Sequence, residues 1–333
     1  MYDYVTDVDL LLVGAGPVGL YGAYCAGFRG LSVAIMDPLP HAGGQVSALY
    51  PEKNIYDIAG FPAIKGQELI DNLLLQADRF SPTYLLGHEA AEISRTEDGI
   101  LVTTTSGAGI RTKAVIVTAG AGAASPRQLP CGEAYLDRGL HYFVPSLSLF
   151  DNKDVVVVGG GDSAVDWALA ATERARSVAL VHRRKDFRAH EHSVRLLRES
   201  DCEFVLGAQV TGLRGEKGVE SVVLEIAGEP HSRELEAQVV VAALGFKLRL
   251  GPIAEWGLRL HDRAVLVDAA MHTNLDGVYA AGDIASHPGK VKLISVGFGE
   301  VATAVNNAAA YIRPTLGLSP GHSSDAVSLV PAS

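Results

Sequence analysis

A glycine-rich turn that follows a short apolar run occurs twice in this chain, 145 residues apart. The first copy is Gly14-Ala15-Gly16-Pro17-Val18-Gly19 and the second is Gly159-Gly160-Gly161-Asp162-Ser163-Ala164. A helical pattern follows each turn, and a second apolar run then ends at Asp37 in the first copy and at His182 in the second. Each copy therefore predicts a strand, a tight turn, a helix and a second strand.

Each position in such a turn has a physical purpose. The first glycine permits the tight turn, the second lets the backbone approach a pyrophosphate, and the third lets the helix pack closely on the strand. Gly14, Gly16 and Gly19 fill these roles in the first copy, and Gly159, Gly161 and Ala164 fill them in the second. The residues that open the helices, namely Pro17, Asp162 and Ser163, lie where a helix N-terminus faces the negative charge. We therefore expect two dinucleotide-binding units.

The residue at the end of the second strand distinguishes the two units. Asp37 and His182 each lie 23 residues after the first glycine of their turn. A carboxylate there accepts hydrogen bonds from two ribose hydroxyls, which suits FAD or NAD. The second unit instead has His182 followed by Arg183, Arg184 and Arg188, and guanidinium groups suit the 2′-phosphate of NADP. The alternative is a solvated basic loop, but the matched spacing favours the phosphate site.

The remaining pattern predicts an α/β fold of two Rossmann-like domains with antiparallel inserts. Segments 120–130 and 245–252 are rich in Gly, Ala and Pro and resemble two crossings between domains. We expect residues 1–120 and 251–333 to form a discontinuous FAD domain. Residues 121–250 would then form an NADP domain inserted into it.

Composition excludes several classes of function. The chain has 333 residues and a net charge of −10, which argues against binding nucleic acid or an anionic membrane. No apolar stretch approaches the ~18 residues of a membrane span, and the acidic N-terminus is unlike a signal peptide, so we expect a cytoplasmic protein. The three cysteines form no Cys-x-x-Cys pair, and we expect buried free thiols.

With both turns in place, the chain resembles the thioredoxin-reductase-like flavoproteins, and among them the type 2 ferredoxin (flavodoxin)-NADP reductases. The resemblance covers nearly the whole chain and implies three-layer ββα domains. It rests on both glycine turns, on the segment from His182 to Ala189, and on three further motifs. These motifs are Gly43-Gly44-Gln45, Asp57-Ile58-Ala59-Gly60-Phe61-Pro62 and the segment from Thr273 to Asp283.

The resemblance implies roles for several further residues. Gln45 and Tyr50 would contact the flavin, with Tyr50 stacked on its ring, although a surface tyrosine before Pro51 is the alternative. The backbone at Ala90 would meet the adenine side, and Asp283 would reach the ribitol hydroxyls. Ala124 stands where the family commonly has Phe, so an aromatic contact to the flavin is missing there.

The resemblance also concerns the C-terminal part of the chain. A helical run from Val301 to Ile312 would have its N-terminus at the pyrimidine edge of the flavin. Ser324 would contact the flavin, either that of its own subunit or that of the partner subunit of a homodimer. The composition after Pro314 instead indicates a mobile tail, and the two expectations conflict.

Thioredoxin reductases carry a Cys-x-x-Cys near residues 142–145, where this chain has Tyr-Phe-Val-Pro. Dithiol exchange at that site is excluded, because it needs two thiols. The resemblance implies hydride transfer between NADPH and FAD, followed by one-electron exchange with ferredoxin or flavodoxin. Alternatives are reduction of a small acceptor (a quinone, a low-molecular-weight disulfide or a ferric chelate) and a catalytically silent FAD-binding regulator. Candidates for a basic docking patch are Lys53, Lys290 and Lys292.

Overall fold

The computed structural model describes residues 5–322, apart from the side chains of Val5, Ala123, Ala124 and Leu248. The chain divides into two compact units. The first is built from the chain up to Ala123 and from Leu248 onward, and the second is Ala124–Lys247. Both unit boundaries fall within the crossings expected from composition.

The regular elements succeed one another along three segments of the chain. The first segment contains β1 (Val5–Val13), α1 (Pro17–Phe28), β2 (Val33–Asp37), α2 (Gly44–Leu49), β3 (Asn54–Ile55), β4 (Ile64–Lys65), α3 (Gly66–Asp78), β5 (Thr83–Leu86), β6 (Ala90–Thr96), β7 (Gly99–Thr104) and β8 (Gly109–Val117). The middle contains β9 (Ala123–Pro126), β10 (Leu140–His141), β11 (Asp154–Val158), α4 (Asp162–Thr172), β12 (Ser177–His182), α5 (Glu191–Arg198), β13 (Glu203–Leu206), β14 (Ala208–Arg214), β15 (Ser221–Ile226), β16 (Arg233–Glu236), β17 (Val239–Ala242) and β18 (Phe246–Arg249). The last segment contains β19 (Leu260–His261), β20 (Ala264–Leu266), β21 (Val278–Ala280), β22 (Ala285–Ser286) and α6 (Ile294–Ile312).

Short 3₁₀ helices connect these elements. They are Glu133–Tyr135, Leu147–Phe150, Gly251–Glu255, Gly282–Ile284 and Pro314–Leu316.

The first unit is built on a sheet with the strand order β5-β2-β1-β8-β7-β6. Strands β5, β2, β1 and β8 run parallel, and β21 joins them alongside the C-terminal half of β8. Strands β6 and β7 are antiparallel. The predicted α/β class with an antiparallel insert is confirmed in this unit.

The end of β1, Leu10 to Val13, is a continuous apolar run rather than an alternating one because both of its faces are buried. Leu10 and Leu12 pack into the core formed with the helices, whereas Leu11 and Val13 pack into a second core on the other face. A strand whose two faces are both buried has no polar side. The second core also includes Trp256 and residues of β20, β21 and β22.

The second unit repeats the design on a smaller scale. Its parallel sheet has the order β10-β17-β11-β12-β13, and a separate antiparallel sheet has the order β14-β15-β16. Helix α4 packs on β11 and β12. Val156 and Val158 of the parallel sheet share a core with Val222 and Leu224 of the antiparallel sheet. The predicted second Rossmann-like unit is therefore confirmed as a fold.

The cysteines differ in part from expectation. All three are free, but only Cys202 is buried, whereas Cys25 and Cys131 are half-buried. Cys25 lies on α1 and Cys131 in a connecting loop, and part of each residue remains accessible there. Burial raises the pKa of Cys25 and of Cys202 to about 11, so both are poor nucleophiles at neutral pH.

The described part of the C-terminal tail is held in place. The guanidinium of Arg29, a buried residue, donates to the carbonyl oxygens of Leu316, Gly317 and Leu318. Arg313 also donates to the carboxylate of Asp9 at 2.6 Å. These hydrogen bonds connect residues 313–318 to the first unit. The last residues of the tail, for which mobility was predicted, include residues 323–333, which lie outside the described part.

The final helix is longer than the sequence pattern suggested. Helix α6 begins at Ile294 rather than at Val301. Glu300, which was expected to precede the helix, therefore lies within it. Because Gly297 and Gly299 are poor helix formers, their presence hid the first two turns.

Candidate dinucleotide-binding sites

The first glycine-rich turn joins β1 to α1. Gly14 has a left-handed φ of +123°, and a Cβ atom there would lie 2.4 Å from the carbonyl oxygen of Thr118. A Cβ atom at Gly19 would lie 1.9 Å from the carbonyl oxygen of Gly14. At Gly16, in contrast, a Cβ atom would meet nothing within 4 Å. The turn itself requires the first and third glycines, while the second leaves an open surface that a ligand can approach.

Helices α1 and α4 both leave their N-terminal amides uncapped. Helix α1 begins at Pro17 and α4 at Asp162, and the glycine before each helix has no side chain that could cap it. The first amides of a helix have no partner within the helix and carry partial positive charge. Both helix ends are therefore suited to an anion such as a pyrophosphate.

Asp37 ends β2 at the carboxyl edge of the sheet and is 6% exposed. Its Oδ2 accepts a hydrogen bond from the Ala15 amide (2.7 Å), and its Oδ1 accepts one from the Leu39 amide (2.9 Å). Burial raises the pKa of the Asp37 carboxyl, and these two amides oppose the rise. Each carboxylate oxygen can accept a further hydrogen bond. The residue therefore fits the hydroxyls of a ribose that lies across the turn.

The segment before α2 lies directly against this turn. The Gly43 amide donates to a carbonyl oxygen of the turn (2.8 Å), and a Cβ atom at Gly44 would lie 3.0 Å from the Cα of Gly16. The Nε2 of Gln45 donates to the carbonyl oxygen of Gly122 (3.1 Å). The fold thus brings Gln45 to the same edge of the sheet as Gly16, although the two are far apart in sequence.

Tyr50 follows α2 and is half-buried. Burial raises its pKa to about 12, and the nearby carboxylates of Asp283 and Asp57 add to the rise. Tyr50 also packs against the core formed with the helices, so it is not a fully exposed turn residue.

Asp283 reaches this edge through a buried strand. Strand β21 pairs with residues 115–117 of β8, and the amide of Ala281 donates to the carbonyl oxygen of Val117 (3.0 Å). Gly282 then adopts a left-handed φ of +79°, and Asp283 is half-buried in the 3₁₀ turn that follows. Asp283 therefore lies at the carboxyl end of the same parallel sheet as Gly14 and Asp37, where open α/β sheets bind ligands.

A buried charged cluster next to Gly282 was not predicted from the sequence. Glu300 of α6 is 7% exposed and accepts hydrogen bonds from the Gly282 amide (2.8 Å) and from His287 Nε2 (2.9 Å). The Nζ of Lys290 lies 2.6 Å from both carboxylate oxygens of Glu300. One signal was available, since a lone glutamate between Gly299 and Val301 in an apolar helix needs a buried partner.

The cluster corrects the assignment of Lys290 to a docking patch. Its side chain is only 9% exposed and is paired with Glu300. A lysine whose ammonium is buried and neutralised contributes little to a surface field. Lys292, in contrast, is exposed.

The second glycine-rich turn joins β11 to α4 in the second unit. Gly159 has a φ of +155°, and a Cβ atom there would lie 2.5 Å from the carbonyl oxygen of Ala243 and 2.8 Å from the Cβ of Ala164. At Gly161 a Cβ atom would meet nothing within 4 Å. The second turn therefore has the same required first glycine and the same open middle glycine as the first turn. Ser163 is exposed beside it.

His182 is packed against the turn. A Cβ atom at Gly160 would lie 2.2–2.5 Å from three atoms of the His182 ring. The ring stacks on Phe187 with a centroid separation of 5.4 Å, and its Nε2 lies 3.2 Å from the carbonyl oxygen of Asp186. Burial lowers the pKa of His182, and the cationic arginines that follow it lower it further. His182 thus supports the loop that carries the arginines.

Two further hydrogen bonds hold that loop to the turn. The Arg188 amide donates to the carbonyl oxygen of Gly160, and the His190 amide donates to Oδ1 of Asp162, both at 2.8 Å. Arg183, Arg184 and Arg188 are exposed. Within residues 5–322 their guanidinium groups form no hydrogen bond or ion pair. The loop therefore holds three cations next to an open glycine turn, which is an arrangement that suits a phosphate.

Three other predicted residues are placed as follows. Ala90 begins β6 and is buried in the second core of the first unit. Ala124 is described only by its backbone, within β9. Ser324 lies outside the described residues.

The described residues offer no metal site and no membrane helix. No group of three or more His, Cys, Asp or Glu side chains between residues 5 and 322 could hold a metal ion. Over the same range, none of the helices has the length and apolarity to cross a membrane.

Comparison with curated proteins finds relatives along almost the whole chain. It is 55% identical over 318 residues to a ferredoxin–NADP reductase of Frankia casuarinae, covering 95% of this chain and 98% of the relative. It is 52% identical over 327 residues to a ferredoxin–NADP reductase of a Nocardioides species, covering 97% of this chain and 98% of the relative.

A solved structure with a similar fold is a thioredoxin reductase of T. acidophilum. It matches with a TM-score of 0.76 and 27% identity, covering 91% of this chain and 98% of that chain. The pyridine nucleotide-disulphide oxidoreductase family model matches residues 8–308. These residues include both glycine turns, Asp37, the arginine loop and Asp283. The chain therefore belongs to the pyridine nucleotide-disulphide oxidoreductase family.

Proposed function

We propose that this chain is an FAD-containing ferredoxin–NADP reductase. The observation that carries the proposal is the contrast between the two glycine turns, one next to a buried carboxylate and the other next to three exposed arginines. Relatives of nearly equal length that bear this name support it.

In this proposal the first unit holds FAD. The open backbone at Gly16 and the uncapped start of α1 receive the pyrophosphate, and Asp37 accepts the adenosine ribose hydroxyls. Gln45, Tyr50 and Asp283 hold the flavin half, since Gln45 and Asp283 lie at the carboxyl edge of the sheet and Tyr50 ends the short helix that begins beside Gln45. Bound FAD supplies the redox chemistry, because it accepts a hydride from NADPH and can release electrons one at a time.

The second unit holds NADPH in the same way. Gly161 and the start of α4 receive its pyrophosphate, and Arg183, Arg184 and Arg188 bind the 2′-phosphate. His182 and Asp162 keep the arginine loop against the turn. The three cations attract the 2′-phosphate, whereas a carboxylate at the position of His182 would repel it. The loop therefore favours NADPH over NADH.

The electron acceptor is a carrier protein in this proposal. Residues 142–145 contain no cysteine, and the three cysteines of the chain are separated by 106 and 71 residues, so no dithiol is available. We propose ferredoxin as the carrier, with flavodoxin as a second carrier and a homodimer as the working assembly. A chain of net charge −10 repels an acidic carrier overall, so docking requires a local basic patch. Lys53 and Lys292 are the remaining candidates for that patch.

Anaerobic steady-state turnover with NADPH tests this function. Purified ferredoxins and flavodoxins are compared with a small quinone and a low-molecular-weight disulfide as acceptors. We expect reduction of ferredoxin well above the rate without carrier, with a rate that falls as salt shortens the Debye length below ~10 Å. Fast reduction of the quinone or the disulfide, with no ferredoxin reduction, would reject the carrier-protein assignment. No turnover with any acceptor would instead indicate a silent FAD-binding protein.

A further inference from the structure

Glu300 accepts a hydrogen bond from the Gly282 amide, which lies in a turn outside the α-helices and strands. Gly282 lies just after the end of β21 and has a left-handed φ of +79°. Its hydrogen bond goes to Oε2 of Glu300 on α6. A buried amide needs an acceptor, and Glu300 is the residue that supplies it one position before Asp283.

The close packing around Gly282 leaves little freedom for another arrangement. A Cβ atom at Gly282 would lie 3.1 Å from a methyl group of Val18, and one at Gly297 would lie 2.6 Å from the same side chain. Helices α1 and α6 therefore both press on this turn. Glu300 adds a directed hydrogen bond to these non-directional contacts.

Lys290 and His287 make the buried carboxylate tolerable. Both oxygens of Glu300 face the Lys290 ammonium, and Oε1 also faces His287 Nε2. The other ring nitrogen of His287 lies 3.0 Å from the carbonyl oxygen of Pro288. A buried ion pair is often no more stabilising than an apolar pair of the same size. Stability alone therefore does not explain the cluster.

We propose that Glu300 is a positioning residue for the first dinucleotide site, which holds the Gly282 amide so that the Asp283 carboxylate stays directed at the ligand. The charges of Lys290 and His287 compensate Glu300 but do not themselves fix the turn. The identity of the ligand as FAD rests on the function proposed above. The hydrogen bond from Gly282 to Glu300 does not depend on that identity.

Two variants separate the hydrogen bond from the charge. Glu300→Asp keeps the negative charge near Lys290, but its side chain is one methylene shorter and loses reach to the Gly282 amide. The double variant Glu300→Gln/Lys290→Met removes both charges, but the amide oxygen of Gln can still accept from Gly282. Glu97→Gln, at an exposed turn of the same unit, is the matched control.

The measurements are the dissociation constant of FAD and hydrogen exchange of the backbone around residues 281–286. For Glu300→Asp we expect about tenfold weaker FAD binding, which is the loss of one good hydrogen bond, and faster exchange at residues 281–286. The double variant should bind FAD within about threefold of the wild type, since its turn keeps an acceptor. Exchange in α3 should be unchanged in both variants, which separates a local effect from general unfolding.

The opposite pattern would overturn the inference. If Glu300→Asp binds FAD as the wild type does, the hydrogen bond to the Gly282 amide is not what positions the turn. If the double variant is as weak as Glu300→Asp, a neutral acceptor is not sufficient and the charges are also needed. If Glu300→Asp does not fold, the double variant still decides, because loss of FAD from a folded double variant contradicts a neutral acceptor being sufficient. A wild-type chain that takes up no FAD would overturn the proposed function and this inference together.

Discussion

The two glycine-rich turns have nearly the same backbone and opposite electrostatics. In both, a carbonyl oxygen would collide with any Cβ atom at the first glycine, and the middle glycine is open. In the first unit the adjoining strand ends in a buried carboxylate that accepts hydrogen bonds from two backbone amides. In the second it ends in an imidazole packed against the turn, followed by exposed arginines. We propose that the backbone provides a general dinucleotide site and that the strand-end residues select the nucleotide.

The two units also differ in what a buried carboxylate does for stability. The pKa of Asp37 is raised by burial, so the fold binds its proton more tightly than the unfolded chain does. Such a carboxyl contributes less to stability as the pH rises through its pKa. Asp154, at the opposite end of the second sheet, has its pKa lowered by Arg176 and contributes stability at neutral pH. We therefore propose that Asp37 is retained for ligand binding, whereas Asp154 stabilises the fold.

The largest expected effect is on FAD binding. Replacing Asp37 by Ala removes an acceptor for two ribose hydroxyls, and hydrogen bonds to a charged group are worth roughly 1.5 to 3 kcal/mol each. We expect FAD to bind about 100-fold more weakly or worse. Titration of the apoprotein with FAD, followed by absorbance or fluorescence, measures this. Asp98→Ala, at an exposed turn of the same unit, should bind FAD normally, and unchanged binding by Asp37→Ala would contradict the assignment.

Replacing Arg183 and Arg184 by Ala should act on the other cofactor. The NADPH KM should rise about tenfold or more, since each ~1.4 kcal/mol lost is a factor of ten. NADH kinetics should change little, because NADH has no 2′-phosphate. Steady-state assays with both coenzymes measure the difference, with Arg198→Ala on α5 as an exposed control in the same unit. Equal loss for NADPH and NADH would mean that the loop is structural.

Replacing His182 by Ala should have a smaller effect than removing the arginines. Its ring supports the loop through Gly160 and Phe187, and an aromatic contact is worth ~0.5 to 1.5 kcal/mol. We expect the NADPH KM to rise about threefold, with FAD content unchanged. Steady-state kinetics and the visible absorbance of bound FAD measure the two quantities. A loss as large as that of the double arginine variant would instead make His182 a direct phosphate ligand.

The smallest effect concerns the pH dependence of stability. The pKa of Asp154 lies well below its ordinary value because Arg176, Ser177 and Gln238 stabilise the carboxylate. The folded-state pKa is lowered, so this contribution is present above the ordinary pKa of 3.8 and is lost as the pH falls through the folded-state value. Asp154→Asn should therefore lower Tm at neutral pH and by less in strong acid. A Tm difference that is constant with pH would contradict this explanation.

The features that depend on local spacing were predictable from the sequence. Both glycine turns, the matched positions of Asp37 and His182, and the antiparallel inserts follow from short patterns along the chain. The Glu300 cluster was not predicted, because the partners of a buried charge are set by tertiary packing between β21, α6 and the loop that joins them. For the same reason Lys290, which looks like any surface lysine in sequence, is buried.

We expect one chain to bind FAD at the first glycine-rich turn, next to Asp37, and NADPH at the second, next to Arg183 and Arg184. The most direct test is anaerobic rapid mixing of the FAD-loaded protein with equal concentrations of NADPH or NADH, following the visible absorbance of bound FAD. We predict rapid loss of absorbance with NADPH, much slower loss with NADH, and an NADPH rate close to the NADH rate when Arg183 and Arg184 are replaced by Ala. Equal rates with the two coenzymes in the wild-type protein, or no loss of absorbance with NADPH, would contradict this assignment of the two turns.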